Sequence, residues 1–149
     1  MSKFLTALVF ALALSHTAVP TTISAGSAAA ATCYGSTCNG LNHATTGCSA
    51  DGYVVSDVDL YDEDSNYVGT VYRYWSPTCQ AAWTTVISDY RAPYVQASIS
   101  SSSPSNSYTR TNPNVYTAIS PMVYATGVSY TTACGSIHDY GWSASACTP

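Results

Sequence analysis

The sequence predicts an all-β domain: a small disulfide-stabilised antiparallel sandwich or barrel preceded by an irregular cysteine-rich segment. Three observations predict it. No stretch keeps the i, i+3, i+4, i+7 apolar spacing of an amphipathic helix over more than one or two turns, whereas short runs alternate apolar and polar side chains between polar turns. Thirteen tyrosines and three tryptophans accompany many Val, Ile and Thr, residues that suit a pleated, half-buried surface. Six cysteines in 149 residues offer the cross-links that a domain with a modest core uses.

The chain opens on a secretory leader. Lys3 gives a positive start, Phe4 to Leu14 an apolar stretch, and Ala28 to Ala31 the small residues of a cleavage site, so residues 1–31 read as a signal peptide and residues 32–149 as one secreted domain. The apolar stretch is shorter than the roughly 20 residues that cross a bilayer as a helix, and no later stretch is longer. No membrane span is expected. A lipid anchor at Cys33 is the rival processing, disfavoured because Ala30 stands where an aliphatic residue is preferred. Without the leader the domain has neither Lys nor Phe, and Arg73, Arg91 and Arg110 face eight acids, too few cations for a nucleic-acid partner.

Residues 32–51, rich in Cys, Gly, Thr and Asn, read as irregular. From Tyr53 to Tyr61 the chain alternates, with Val54, Val58 and Leu60 on one face and Asp57 and Asp59 on the other. Asp62 to Asn66 forms an acidic tip, and Tyr67 to Trp75 returns as the second strand of a hairpin. Ser76-Pro77 predicts an N-cap and one helical turn. Strands are then expected at Trp83 to Tyr90 and from Pro93, where Val95, Ala97 and Ile99 alternate with Gln96, Ser98 and Ser100. The serine-rich run from Ser98 to Ser107 reads as a hairpin loop before Tyr108 to Thr111. Val115 to Ile119 and Met122 to Thr132 supply the last strands, and Cys134 to Pro149 is a tail tied by two cysteines.

Cys33, Cys38, Cys48, Cys79, Cys134 and Cys147 all follow the leader, and export places them where thiols oxidise. Three disulfides are expected. Six cysteines allow 15 pairings, of which Cys134–Cys147 and Cys48–Cys79 are preferred. Zinc competes for cysteine, but no C-x-x-C half-site occurs, so no metal site and no cofactor is expected. With every cysteine paired, none serves as a nucleophile.

The order Cys33-x4-Cys38, Thr46-Gly47-Cys48-Ser49-Ala50-Asp51, Arg73-Tyr74-Trp75-Ser76-Pro77-Thr78-Cys79-Gln80-Ala81-Ala82-Trp83, Pro121-Met122-Val123-Tyr124 and Ala133-Cys134-Gly135 resembles the YjfA-like secreted domain, DUF family 2690. Here Trp75 is inserted between the tyrosine and serine of the family's most specific block. The resemblance implies a secreted bacterial protein without an assigned function or catalytic residues. Similar domains joined to membrane-anchored regulators imply an extracellular ligand-sensing role.

Searching for chemistry leaves few candidates. Asp57, Asp59, Asp62, Glu63 and Asp64 offer enough oxygen for calcium and Asp62-x-Asp64-x-Asn66 imitates the start of a calcium loop, but Tyr67 stands where that loop needs glycine and Arg73 where it needs glutamate, which favours a solvated hairpin tip. His43 and His138 remain after the leader. His138-Asp139 are sequence neighbours, which seldom face each other, and G-x-S-x-G and H-E-x-x-H are absent. Asp89 and Asp139 are isolated, which argues against a glycosidase pair. The aromatic surplus suggests sugar stacking, although Tyr and Trp must also build a core that lacks Phe. Trp83 is assigned to the core, and Trp75, Trp142, Tyr72 and Tyr74 are the candidate ligand-binding residues. The expected function is non-catalytic, monomeric binding of an extracellular ligand, a glycan or cell-envelope polysaccharide. A secreted protein-binding effector or enzyme inhibitor that presents the serine-rich loop is the alternative.

Overall fold

A computed structural model describes residues 30–149. The leader assigned to residues 1–31 lies, but for Ala30 and Ala31, outside them. Seven antiparallel strands follow two short 3-10 turns, Gly35–Cys38 and Cys48–Ala50: β1 Tyr53–Tyr61, β2 Tyr67–Ser76, β3 Ala81–Ser102, β4 Ser105–Ile119, β5 Val123–Tyr124, β6 Thr131–His138 and β7 Ser143–Cys147. No α-helix occurs among the described residues. The strand order is β1-β2-β3-β6-β7, and β1 also touches β7, so the sheet curls into a nearly closed barrel.

β3 makes the curl. Its first half pairs with β2 from Gly69–Ser88 to Ser76–Ala81, and its second half pairs on the same edge with β6 from Tyr94–His138 to Ser101–Thr131. β4 follows the other edge along both halves, with a register shift between Ile87 and Ala92 where the strand bends. Pro93 lies just past this shift and has no partner in either ladder, so its missing N–H costs no ladder bond.

Two expectations are corrected here. The segment from Trp83 to the serines is one 22-residue strand, not two strands and a loop. Ser98, Ser100 and Ser102 form its outward face, while Ala97, Ile99 and Ser101 point into the barrel and are buried. The three outward hydroxyls donate to the carbonyls of Cys134, Thr132 and Tyr130, each at 3.4 Å. Polarity that looked unpackable is the wet side of a strand paired on both edges. The helical turn expected after Ser76 is a tight turn instead, closed by Gln80 at φ 51°. Ser76 Oγ still acts as a cap, accepting from Cys79 N at 3.1 Å.

Trp75 adds no bulge to β2, which pairs with β3 without a break. The β1–β2 ladder has two irregularities, one between Val54 and Ser56 on β1 and one at Leu60 and Tyr61, where Val68 of β2 is skipped. The interior holds Leu60, Val71, Trp75, Val86, Val95, Ile99 and Ile137, with small residues where strands cross closely. At Gly135 a Cβ would lie 2.5 Å from Val86 Cγ2 and 2.6 Å from Val71 Cγ2, so only glycine lets β6 approach β2 and β3 there. Arg73 also points inward and donates to the carbonyl of Thr131, which ties β2 to β6, and burial lowers its pKa.

Candidate functional site: a polar cleft on the outer face of β3, β6 and β7

Alternation along each strand and the register between strands place side chains from distant sequence in rows. Gln96 stands opposite Ser136, and Ser136 opposite Ser145. Tyr94 stands opposite His138, and His138 opposite Ser143. Ser98 is level with Cys134, which faces Cys147. Neighbouring strands lie about 4.8 Å apart and same-face residues about 6.8 Å apart along a strand. The rows line an open cleft of about 420 Å³ that contains no Asp, Glu, Lys or Arg. Tyr94, 53% exposed, stands beside it on the same face.

A hydrogen-bond chain runs from β4 over β3 to β6. Gln96 Nε2 donates to Thr111 Oγ1 at 3.2 Å, and Ser136 Oγ donates to Gln96 Oε1 at 3.3 Å. Ser136 Oγ also lies 3.0 Å from His138 Nε2, a hydrogen bond whose donor is set by the histidine tautomer. Asp139 takes no part, since its Oδ1 accepts from Tyr140 N at 2.7 Å. Tyr140, at the tip of the β6–β7 hairpin, is 95% exposed. The arrangement offers hydroxyl, amide and imidazole groups at fixed spacing beside an aromatic face.

The aromatic residues singled out from sequence fall in three places. Trp75 is 8% exposed and belongs to the interior, so its ring offers little face to a ligand. Tyr72 and Tyr74 are half-buried on the outer side of β2, and the Tyr74 ring stacks on Trp83 at 5.3 Å. Trp142 is half-buried near Tyr90, with ring centroids 6.1 Å apart, and lines a smaller recess of about 230 Å³ with Asp62, Glu63 and Asp64. Burial, followed by the negative charges of Asp139 and Asp62, pushes the Tyr90 pKa to about 12.

Asp62 organises the acidic tip. Asp62 accepts from the Asn66 side chain and from the backbone of Asn66 and Asp64, and these bonds hold its carboxyl below the usual range, the Asn66 side chain most of all. Asp59 accepts from Thr70 Oγ1 at 2.9 Å. Among the described residues the only convergence of three or more metal-ligating side chains is made by cysteines.

All six cysteines are paired, as Cys33–Cys38, Cys48–Cys79 and Cys134–Cys147. The two preferred pairings are thus present. The first two bridges sit together in a second buried cluster with Trp83 and Met122, and the third borders the polar cleft. His43 stacks on Trp83 at 4.6 Å and 2°, and its burial lowers its pKa below 6.5. A lowered histidine pKa contributes stability that is present above the unfolded pKa of about 6.5 and is lost as pH falls through the folded value. Urea midpoints measured from about pH 7 to pH 5 are therefore expected to fall, and the His43→Phe variant to flatten that decline. An equally steep decline in the variant would assign it to another group.

The fold and its ties define a class, a disulfide-tied antiparallel β-barrel domain with a polar cleft on its outer face. The chain belongs to the family described as Protein of unknown function (DUF2690), whose model matches residues 36–134. The matched segment includes Cys38, Cys48, Cys79 and Cys134 but neither Cys33 nor β7. No curated protein and no solved structure matches the chain.

Sequence reasoning missed Tyr94, Gln96, Ser136, Ser143 and Ser145 as site residues. The signal was the i, i+2 pairing of Tyr94 with Gln96 and of Ser136 with His138. It becomes a site only once β3, β6 and β7 are in register.

Proposed function

We propose that this protein is a secreted, non-catalytic binding module whose cleft on β3, β6 and β7 takes a neutral polysaccharide of the cell envelope or surroundings. The observation that carries the reading is a charge-free set of hydroxyl and amide groups, held in rows by strand register beside the exposed face of Tyr94. Sugars present hydroxyls that both donate and accept, and apolar ring faces that stack on aromatics. Gln96, Ser136 and His138 answer the first, and Tyr94 the second. Three disulfides suit an oxidising, extracellular destination.

A pull-down of oxidised protein on peptidoglycan, chitin and cellulose, with and without calcium, tests it. Retention is expected on at least one polymer, weakened about tenfold, or about 1.4 kcal/mol, by Tyr94→Ala. Tyr61→Ala, which removes an exposed tyrosine from β1, should leave retention unchanged. No retention on any polymer would sink the reading.

A second reading, a protein-binding effector or inhibitor, draws on one observation: the outer edge of the 15-residue β4 is unpaired among the described residues. Such an edge accepts a partner strand. Complex formation with a protein, abolished by prolines placed in β4, would favour it.

A further inference from the structure

Four cysteines reach one point from three separate segments: Cys33 and Cys38 around the first 3-10 turn, Cys48 at the second, and Cys79 in the turn between β2 and β3. All four are buried, and their Sγ atoms lie within 4.8 Å of one another. Cys33 Sγ and Cys48 Sγ, which belong to different disulfides, are 3.5 Å apart. A tetrahedral zinc–thiolate centre with bonds near 2.3 Å places its sulfurs about 3.8 Å apart, a spacing close to the contact between the two disulfides and one to which the two bonded pairs must open on reduction. Backbone bonds hold the segments independently of sulfur: Gly35 N donates to Cys79 O at 2.9 Å, and Thr32 N to Thr46 O at 2.8 Å. Thr46 Oγ1, which donates to Asn42 O at 2.9 Å, also lies 3.2 Å from Cys48 Sγ, within reach of a thiolate there.

We propose that the reduced protein binds one zinc ion through Cys33, Cys38, Cys48 and Cys79, so that two disulfides and one metal ion are alternative ties for the same three segments. In the reductive direction each disulfide takes two electrons and two protons from a dithiol, which leaves as its own disulfide. The four thiols then release four protons as they bind Zn²⁺. In the oxidative direction the four thiolates pass four electrons to two equivalents of a disulfide oxidant, whose S–S bonds break and which leave as dithiols after taking four protons from water, while the two protein S–S bonds form and Zn²⁺ leaves. The inference is independent of the polysaccharide reading, and the distant Cys134–Cys147 pair is an internal control.

The test uses the purified wild-type protein, reduced with a phosphine and titrated with Co²⁺ and then Zn²⁺. The expected result is one Co²⁺ per chain, giving thiolate charge-transfer and tetrahedral d–d absorption that Zn²⁺ abolishes. Alkylation of the zinc-loaded protein followed by mass mapping is expected to show labelling lost at the four nest cysteines and retained at Cys134 and Cys147. Absence of the thiolate–cobalt bands would overturn the proposal, as would equal labelling of all six cysteines. The Cys134→Ser/Cys147→Ser variant should bind the same single ion, and loss of binding there would also overturn it.

Discussion

Trp83→Ala is expected to cost about 3–5 kcal/mol, the range for truncating a large buried aromatic side chain. Trp83 is 2% exposed and stands on β3 between two parallel rings, Tyr74 from β2 and His43 from the N-terminal segment, at 5.3 and 4.6 Å. A third neighbour fixes its position: a Cβ on Gly52 would collide with the Trp83 ring, so the chain before β1 is shaped to fit the indole. Truncation therefore opens a void where strand, sheet and irregular segment meet, and the disulfides beside it limit collapse into that void. A domain of this size is stable by about 5–15 kcal/mol, so the loss is a large share. Urea unfolding should show a much lower midpoint with an unchanged slope, and Trp83→Phe should recover part of the loss. A loss below about 1 kcal/mol would mean that the ring is not in the core.

The same stack shows what was legible in the sequence. Trp83 read as core because the chain from residue 32 onward lacks Phe, and the structure buries it. The β1–β2 hairpin was legible because its alternation and acidic tip are local signals. β3 was not, because its serines were judged by composition although their even spacing placed them on one face. What makes that face part of a sheet is pairing with β4 and β6, whose partners lie up to 44 positions away, as in Tyr94 with His138. Tertiary pairing also separates Trp75, Trp142 and Tyr74, which looked equivalent as aromatics. The cysteines divide the same way. Their spacing argues against zinc, since no half-site lies within one short loop, yet the fold collects four of them from three segments. Convergence of that kind has no local signature.

Removing the disulfides one at a time separates chain entropy from packing. In the chain-entropy model, loops closed over 31, 13 and 5 positions predict losses of about 3.7, 2.9 and 2.1 kcal/mol for Cys48–Cys79, Cys134–Cys147 and Cys33–Cys38. Each pair is replaced by two alanines, because a buried serine would leave a hydroxyl without a partner. Urea midpoints of the three double variants should then fall in that order, with the Cys48→Ala/Cys79→Ala variant least stable. Packing pulls the other way for the shortest loop. Cys38, Cys48 and Cys79 are fully buried while Cys147 is exposed, so Cys33–Cys38 loses more contact than Cys134–Cys147 when it is truncated. If Cys33→Ala/Cys38→Ala costs as much as Cys48→Ala/Cys79→Ala, the contacts of the sulfur nest govern stability, and constraint of the unfolded chain is secondary. If the order follows loop length, the nest is a tie whose strength depends on how much chain it encloses, and a metal holding all four sulfurs would constrain the same loops together.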